Sequence, residues 1–262
     1  MAQSENSVLH VLRYLGRLLL AAAALAACIA PWWAARDQAS ASFPGFAPLP
    51  PAPAAQEPPF FETSVINPSS TLAKAHSATL AAMPDGSLVA AWYAGSGEGA
   101  PDVGIYVAGR LPGGAWSEPR LAISRERVMR DLRRNAISLG NPVLVADAAG
   151  RLGLVFVSIC AGRWSGSSLN VACSADGGRS WGPVSKLSLN PLANLSALPR
   201  NPPAPLAGGG WAVPIYQEFL GLFPEILWLQ PRGGGFAAAV SRIAGGMSVF
   251  QPALVPLSER RA

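Results

Sequence analysis

The sequence predicts an all-β fold of repeated four-stranded antiparallel blades, preceded by one apolar N-terminal helix. Three observations predict it. Short apolar runs pair around Gly-containing turns, the pairs recur every 50–65 residues, and one long apolar stretch stands before them all. Composition agrees, since the 262 residues are 50% hydrophobic and 13% charged, with Gly 27 and Pro 25. That is too apolar for a disordered chain and too often broken by Gly and Pro for a helical bundle. The net charge of +5 resides in the body beyond residue 59. It tolerates an anionic ligand but falls far short of a nucleic-acid footprint, so no nucleic-acid partner is expected.

Residues 18–35 are uncharged and almost wholly apolar, preceded by Arg13 and Arg17 and followed by Arg36. At about 1.5 Å per residue such a run just crosses a hydrocarbon core, and the preceding arginines keep the N-terminus cytoplasmic. Trp32 and Trp33 stand at its far end, where indole rings favour the headgroup layer. Seven of the twenty residues 41–60 are proline, the composition of an extended spacer. The expected organisation is therefore a short basic cytoplasmic region at 1–17, a transmembrane or signal segment at 18–35, a Pro/Ala-rich linker at 36–60 and the folded body at 61–262. A buried core helix is the competing reading of 18–35. The tetrapeptide Leu25-Ala-Ala-Cys28 resembles a lipoprotein processing box, although the apolar run continues past Cys28. The body is expected outside the cytoplasm, as an inner-membrane-anchored periplasmic domain, a lipoprotein or a secreted protein.

Cys160 and Cys173 lie near the ends of neighbouring strand candidates. A hairpin turning at Ser165 sets Cys160 opposite about Leu169, too far from Cys173 for a bridge, so two buried thiols are expected. No metal-ligand spacing is present, and neither metal nor cofactor is expected.

The copies open at His76, Asn141 and Asn201, and each runs through a Gly-containing turn into a second apolar run, ending at Tyr93, Ser158 and Tyr216. A second hairpin follows in each, reaching Trp116, Trp181 and Phe236. Four short strands per unit with an aromatic after the last turn describe a propeller blade; a jelly roll or sandwich does not predict the recurring X-Pro start. A fourth copy opens at Gln251 and is cut off at 258–260. The charged stretch 120–134 reads as an insertion between blades rather than one or two helical turns. Ser174-Ala-Asp176-Gly-Gly178-Arg-Ser-Trp181 matches the Asp-box, Ser-x-Asp-x-Gly-x-x-Trp, at every defined position. In it the Asp accepts backbone N–H groups, the Gly takes a turn conformation, and the Trp packs between sheets. Ser174, Asp176, Gly178 and Trp181 are thus structural, as is Trp116 in a degenerate copy.

With His76-Ser-Ala-Thr-Leu, Ala91-Trp-Tyr-Ala-Gly, Gly140-Asn-Pro-Val-Leu, Gly162-Arg-Trp-Ser-Gly and the Asp-box, the chain from about residue 61 onward resembles bacterial BNR-repeat, sialidase-like proteins. The resemblance implies a six-bladed propeller. It also implies exo-glycosidase activity releasing sialic acid with retention, through an arginine triad, an Asp acid/base and a Tyr nucleophile paired with a Glu. His76 stands where such proteins carry the first arginine. About three and a half of six blades are present, so the sequence reads as C-terminally truncated, with the nucleophile in the missing part.

In an up-and-down blade the Asp-box marks the bottom, so the top gathers the inner-strand starts and the loops between second and third strands. Those loops carry Glu98 and Asp102, Arg163 and Trp164, and Glu218 beside Tyr216. A carboxylate, an arginine and an aromatic around one funnel suit a sugar bearing a carboxylate, with Arg as bidentate partner and Trp stacking on the ring. Asp102 and Glu98 are the candidate acid/base residues; Asp102 alternatively caps its loop, and Glu98 is alternatively a solvated loop residue. His76, Arg163, Trp164, Tyr216, Glu218 and Arg134 are the substrate-binding candidates. Surface placement is the competing reading for the arginines, and structural hydrogen bonding for His76 and for Tyr216 with Glu218. Three functions follow in order: a sialidase-like exo-glycosidase acting on a terminal acidic sugar, a non-catalytic propeller binding envelope glycan or polysaccharide, and a structural scaffold in envelope assembly. The expected partners are a glycan and, through the N-terminal segment, a membrane; the oligomeric state stays open.

Overall fold

The computed structural model describes residues 2–36, 45–47, 61–67, 74–189, 196–218, 221–243 and 248–262. Helix α1 (Ala2–Arg36) is continuous through both the N-terminal basic stretch and the apolar run. Its stretch long and apolar enough to cross a membrane is His10–Ala27, which includes Arg13 and Arg17 and begins eight residues before the uncharged run. The expected linker at 36–60 lies mostly outside the described residues. Residues 45–47 are described, and they dock rather than float: Phe46 N–H donates to Glu259 O at 2.7 Å and Ala47 N–H to Pro205 O at 2.9 Å.

Three antiparallel sheets follow, all in up-and-down order. The first is β1 (Lys74–Ala82), β2 (Leu88–Gly95), β3 (Gly104–Arg110) and β4 (Arg120–Ile123). After helix α2 (Arg125–Leu132) comes the second: β5 (Ser138–Ala146), β6 (Leu152–Ile159), β7 (Ser167–Ser174) and β8 (Ser185–Lys186). In the third, β9 (Ala197–Pro199) and β10 (Ala204–Pro205) share the innermost position beside β11 (Trp211–Gln217), β12 (Phe223–Arg232) and β13 (Gly235–Arg242). The first hairpin of sheets one and two closes on an Asp turn. Asp85 accepts from Ser87 and Asp147 from Ala149 and Arg151, and the left-handed Gly86 and Gly150 lead into the second strand.

Every residue of β6 is buried, because the middle sheet is covered on both faces. Leu154 and Phe156 join Ala91, Ile105 and Trp181 between sheets one and two. Val155 and Val157 join Val213, Ile215 and Leu227 between sheets two and three. The free face of sheet one keeps Trp92 and Ala90 under Ile66 and Trp116 but leaves Leu80 and Leu121 more than half exposed. The free face of sheet three is covered by Phe46 and Leu254.

Three expectations need correction. The stretch 120–134 is no plain insertion: it supplies the outer strand β4 and the two-turn helix α2, capped by Ser124 Oγ accepting from Arg127 N–H at 3.2 Å. Arg127 then reaches the next sheet, donating to Trp181 O at 2.5 Å and Gly182 O at 2.7 Å, which supplies the tertiary anchor that so polar a helix lacks in itself. Residues 251–257 form no strand: Pro252 and Pro256 have no N–H to give a ladder, and Leu254 instead packs on sheet three. The thiols of Cys160 and Cys173 are free but half-buried, and a tight loop sets Cys160 beside Gly166 rather than Leu169.

Candidate functional site

Each inner strand is interrupted at the same place. The β1–β2 register shifts between His76 and Thr79, the β5–β6 register between Gly140 and Val143, and β9 and β10 are separated by residues 200–203. Ser77, Asn141 and Gln251 take left-handed φ of 53°, 45° and 49°, a conformation that side chains other than Gly rarely adopt. The residues just before Ser77, Asn141, Asn201 and Gln251 are His76, Gly140, Arg200 and Phe250, one from each copy. Gln251 thus keeps the backbone signature of an inner-strand start without the strand, and Asn201 Nδ2 binds the Gln251 and Pro252 carbonyls at 2.8 and 2.9 Å.

These breaks turn polar groups toward one another. Arg200 donates through Nη1 to Ser77 Oγ, and Ser77 Oγ donates to Asn141 Oδ1 at 3.2 Å, so one chain of hydrogen bonds joins all three sheets. Two buried tyrosines, Tyr93 and Tyr216, feel the Arg200 charge. Burial raises the Tyr93 phenol above its ordinary value, with the Glu98 charge adding to the rise and Arg200 opposing it. Burial, reinforced by Glu218, pushes Tyr216 up to about 12. The Glu218 carboxyl is itself raised by burial and is hydrogen-bonded by Tyr216.

On the side of sheets one and two, Trp164 Nε1 donates to Glu98 Oε1 at 3.1 Å, and its ring stands 6.5 Å from Tyr93, which is 5.9 Å from His76. Trp164 lies against Gly140, where a Cβ would come within 2.6 Å of its ring, so glycine is required there. Glu98, Arg163 and Trp164 line a cavity of about 420 Å3 walled by Ile137 and Ile159. Of the sequence candidates, then, Glu98, Trp164, Arg163 and His76 surround the sheet-one and sheet-two side. Tyr216 and Glu218 stand on the sheet-three side, with Tyr216 only 3% exposed beneath Phe250, ring centroids 5.1 Å apart.

Asp102 and Arg134 are placed differently. Asp102 closes its own loop, its two oxygens accepting from Ser96 N–H at 2.9 Å and Ser96 Oγ at 2.8 Å. The Ser96 hydroxyl chiefly holds its carboxyl below the usual range. Arg134 donates to Cys160 Sγ and does not line the cavity. Arg200 was absent from the sequence candidates; it precedes Asn201-Pro202 as Gly140 precedes Asn141-Pro142, and the left-handed Ser77 and Asn141 put His76 at the same position.

A larger cavity of about 970 Å3 opens at the other end of the sheets. Two of its polar side chains are engaged, Asp85 with Ser87 in a turn and Arg120 with the Gly178 and Arg179 carbonyls of the next sheet. There the Asp-box closes, with Asp176 accepting from Ser174 Oγ, Ser180 N–H and Ser180 Oγ at 2.6–2.8 Å, while Trp181 packs between sheets one and two. Among the described residues no cluster of His, Cys, Asp and Glu is arranged to hold a metal ion.

No curated protein matches this chain. Among solved structures it is similar to the NanB sialidase from Streptococcus pneumoniae, with a TM-score of 0.53 and 11% identity, over 70% of this chain and 46% of that one. A leech intramolecular trans-sialidase complexed with 2,7-anhydro-Neu5Ac gives 0.53 and 13%, over 69% and 46%. The intramolecular trans-sialidase from Ruminococcus gnavus gives 0.50 and 13%, over 63% and 60%. At these identities the likeness establishes the fold, and the chain spans about half the length of these structures. A family profile for the BNR repeat-like domain matches residues 86–262, the span that holds all but the first strand of the three sheets. The chain belongs to the BNR repeat-like, sialidase-like family.

Proposed function

We propose that the inner-strand breaks form the hub of a six-bladed sialidase-like propeller that acts on a terminal acidic sugar, such as sialic acid, as an exo-glycosidase. The observation that carries this reading is the guanidinium of Arg200 bonded to Ser77 Oγ at the inner-strand breaks, with Asn141 on the same hydroxyl and Glu98 hydrogen-bonded to Trp164 on the sheet-one and sheet-two side. A guanidinium matches a sugar carboxylate in a bidentate fork, and Trp164 offers a face to the ring. Glu98 is the acid/base that protonates the leaving oxygen and then takes a proton from water; Asp102 serves it by holding the loop. His76 and Glu218 contact the sugar from opposite sides. The three sheets are consecutive blades of a ring closed by further blades. Residues 1–17, 18–35 and 36–60 act as cytoplasmic region, membrane segment and stalk, and hold the body at 61–262 outside the cytoplasm.

A non-catalytic glycan-binding propeller is the second reading, favoured by the engagement of Asp102 in its Ser96 turn. A fluorogenic sialoside separates the two. Hydrolysis by the protein that falls at least 100-fold in Glu98→Gln supports the enzyme. Turnover no higher than in an Asp102→Asn, Glu98→Gln double variant, with sialoside binding retained in saturation-transfer NMR, establishes the binder. Loss of both turnover and binding in the unaltered protein removes the acidic sugar altogether.

A further inference from the structure

The stretch 36–60 has the composition of a free spacer, yet residues 45–47 within it are built into the body. They lie as a short strand with a partner on each edge. On one edge Ala47 N–H donates to Pro205 O and Ala207 N–H to Gly45 O, both at 2.9 Å. On the other, Phe46 N–H donates to Glu259 O at 2.7 Å. The Phe46 side chain is 4% exposed and packs with Leu206, Ala212, Ile226 and Leu254. Gly45 has a left-handed φ of 84°, and a Cβ there would stand 2.6 Å from Glu259 Cγ. A buried aromatic anchor, main-chain pairing on both edges and a position that calls for glycine together make a specific seat.

The seat lies at the Asp-box end of the sheets. It adjoins the turn from β10 into β11, closed by Leu206 N–H on Gly210 O at 3.0 Å. The three sheets share that end: Asp147 and the glycine turn 233–235 line one cavity there, and Asp85, Ala148 and Gly177 line the other. Glu62 is there too, 4.0 Å from Arg110 at the end of β3. Glu98, Trp164 and Arg200 stand at the opposite end, and the eight residues of β6 separate the two ends by about 25 Å. Helix α1 ends at Arg36, nine peptide units before Gly45. Nine units span at most about 30 Å, whereas the 25 units from Arg36 to Phe61 would span about 85 Å. A tether of about 30 Å rooted at the Asp-box end cannot bring the hub to the surface from which α1 emerges, because about 25 Å of it would be used running back along the sheets.

We propose that residues 45–47 are a clasp that roots the membrane tether, so that the Asp-box end faces the membrane and the hub opens away from it. The working tether is then residues 37–44, and the stretch 48–60 lies beyond the clasp and adds nothing to its reach. This inference rests on the reading of residues 18–35 as a membrane segment and is independent of the sugar chemistry at the hub.

The test is resonance energy transfer in phosphatidylcholine vesicles reconstituted with the full chain, from a dye on the body to an acceptor-labelled lipid. The dye is attached through Ala148→Cys at the Asp-box end or Ser165→Cys at the hub end, both exposed positions, with Cys28, Cys160 and Cys173 replaced by Ser. Transfer is expected to be about twofold stronger from residue 148 than from residue 165, given the separation of the two ends. A flexible insert of about twenty Gly and Ser residues between residues 40 and 41, ahead of the clasp, should erase most of that difference. The same insert between residues 54 and 55, behind the clasp, should leave it unchanged, and an unchanged Tm checks each body. Equal transfer from the two positions overturns the clasp, as does a difference that both inserts erase alike. A difference that survives the insert at 40 also overturns it, because the body then rests on lipid without the tether's help. Failure of the chain to float with the vesicles, seen before any transfer is measured, overturns the membrane-segment reading and the orientation with it.

Discussion

The guanidinium of Arg200 on the third sheet donates to Ser77 Oγ on the first, and that hydroxyl donates to Asn141 on the second. One side chain therefore ties together the three innermost strands at the point where each is broken. A charge-assisted bond of this kind contributes about 1.5–3 kcal/mol where it is shielded from water. Arg200→Ala is expected to lower stability by about that amount. It should also abolish binding of the acidic sugar, whereas Arg200→Lys restores most of the stability and little of the binding, since an ammonium lacks the planar fork. Thermal melts and saturation-transfer NMR on the two variants check this; normal sugar binding by Arg200→Ala would remove the residue from the site.

Gly140 and Trp164 make a second, independent test. A methyl group at residue 140 would sit 2.6 and 2.9 Å from two atoms of the indole, closer than real Cβ atoms approach. In Gly140→Ala the ring must swing away, breaking its 3.1 Å bond to Glu98. Sugar affinity is expected to fall roughly tenfold, the loss of about 1.4 kcal/mol of stacking and positioning. Overpacking should also cost about 1–3 kcal/mol of stability. Trp164→Phe distinguishes the two effects, because it removes the bond to Glu98 without crowding residue 140.

The sequence discloses the hairpins because their signals are local: an apolar run, a turn with Gly86 or Gly150, and a second run, each readable within twenty residues. The Asp-box is legible for the same reason. Helix α2 is hidden because its stability comes from Arg127 gripping carbonyls more than 50 residues away, so the stretch reads as plain charge. Pro202, Pro203 and Pro205 split the third inner strand, and two prolines in 251–257 keep that segment from pairing; composition shows the apolar residues there but not the missing donors' effect. Arg200 escapes notice because a lone arginine before Asn-Pro carries no signal until the copies are superposed. Its neighbours in the hub, Ser77 and Tyr93, come from segments more than a hundred residues distant.

The Asp-box carboxylate predicts a pH dependence with a definite sign. Ser180, by side chain and then backbone, and Ser174 hold the Asp176 carboxyl well below the usual carboxylate range. A lowered folded value means that the unfolded chain binds more protons between the two values. Stability is therefore complete above about pH 4–5 and declines as pH falls toward the folded value. Asp176→Asn is expected to lower Tm at pH 7 by about 2–4 °C, the shift given by loss of about 1 kcal/mol of capping in a domain of this size. The difference between the two proteins should shrink from pH 5 downward. Melts from pH 7 to pH 2.5 measure it, and a difference that widens toward acid would contradict the assignment. Glu218, raised by burial, has the opposite sign: its contribution worsens as pH rises through its folded value.

Trp181 and Trp116 occupy corresponding places after the third turn of sheets two and one, yet their surroundings differ. Trp181 is 9% exposed between two sheets, in contact with the cluster that includes Val89 and Leu152, whereas Trp116 is half-buried on the free face of sheet one. Trp181→Ala is expected to cost about 3–5 kcal/mol, and Trp116→Ala about half of that or less, because one of its faces already meets water. The Trp181 indole N–H is buried without a partner among the described residues, so Trp181→Phe removes an unpaired donor along with some volume and should cost less than about 1.5 kcal/mol. Urea unfolding of the three variants orders these values. Equal losses at both tryptophans would mean that sheet one is covered as fully as sheet two, as in a ring whose next blade packs over Leu80 and Leu121.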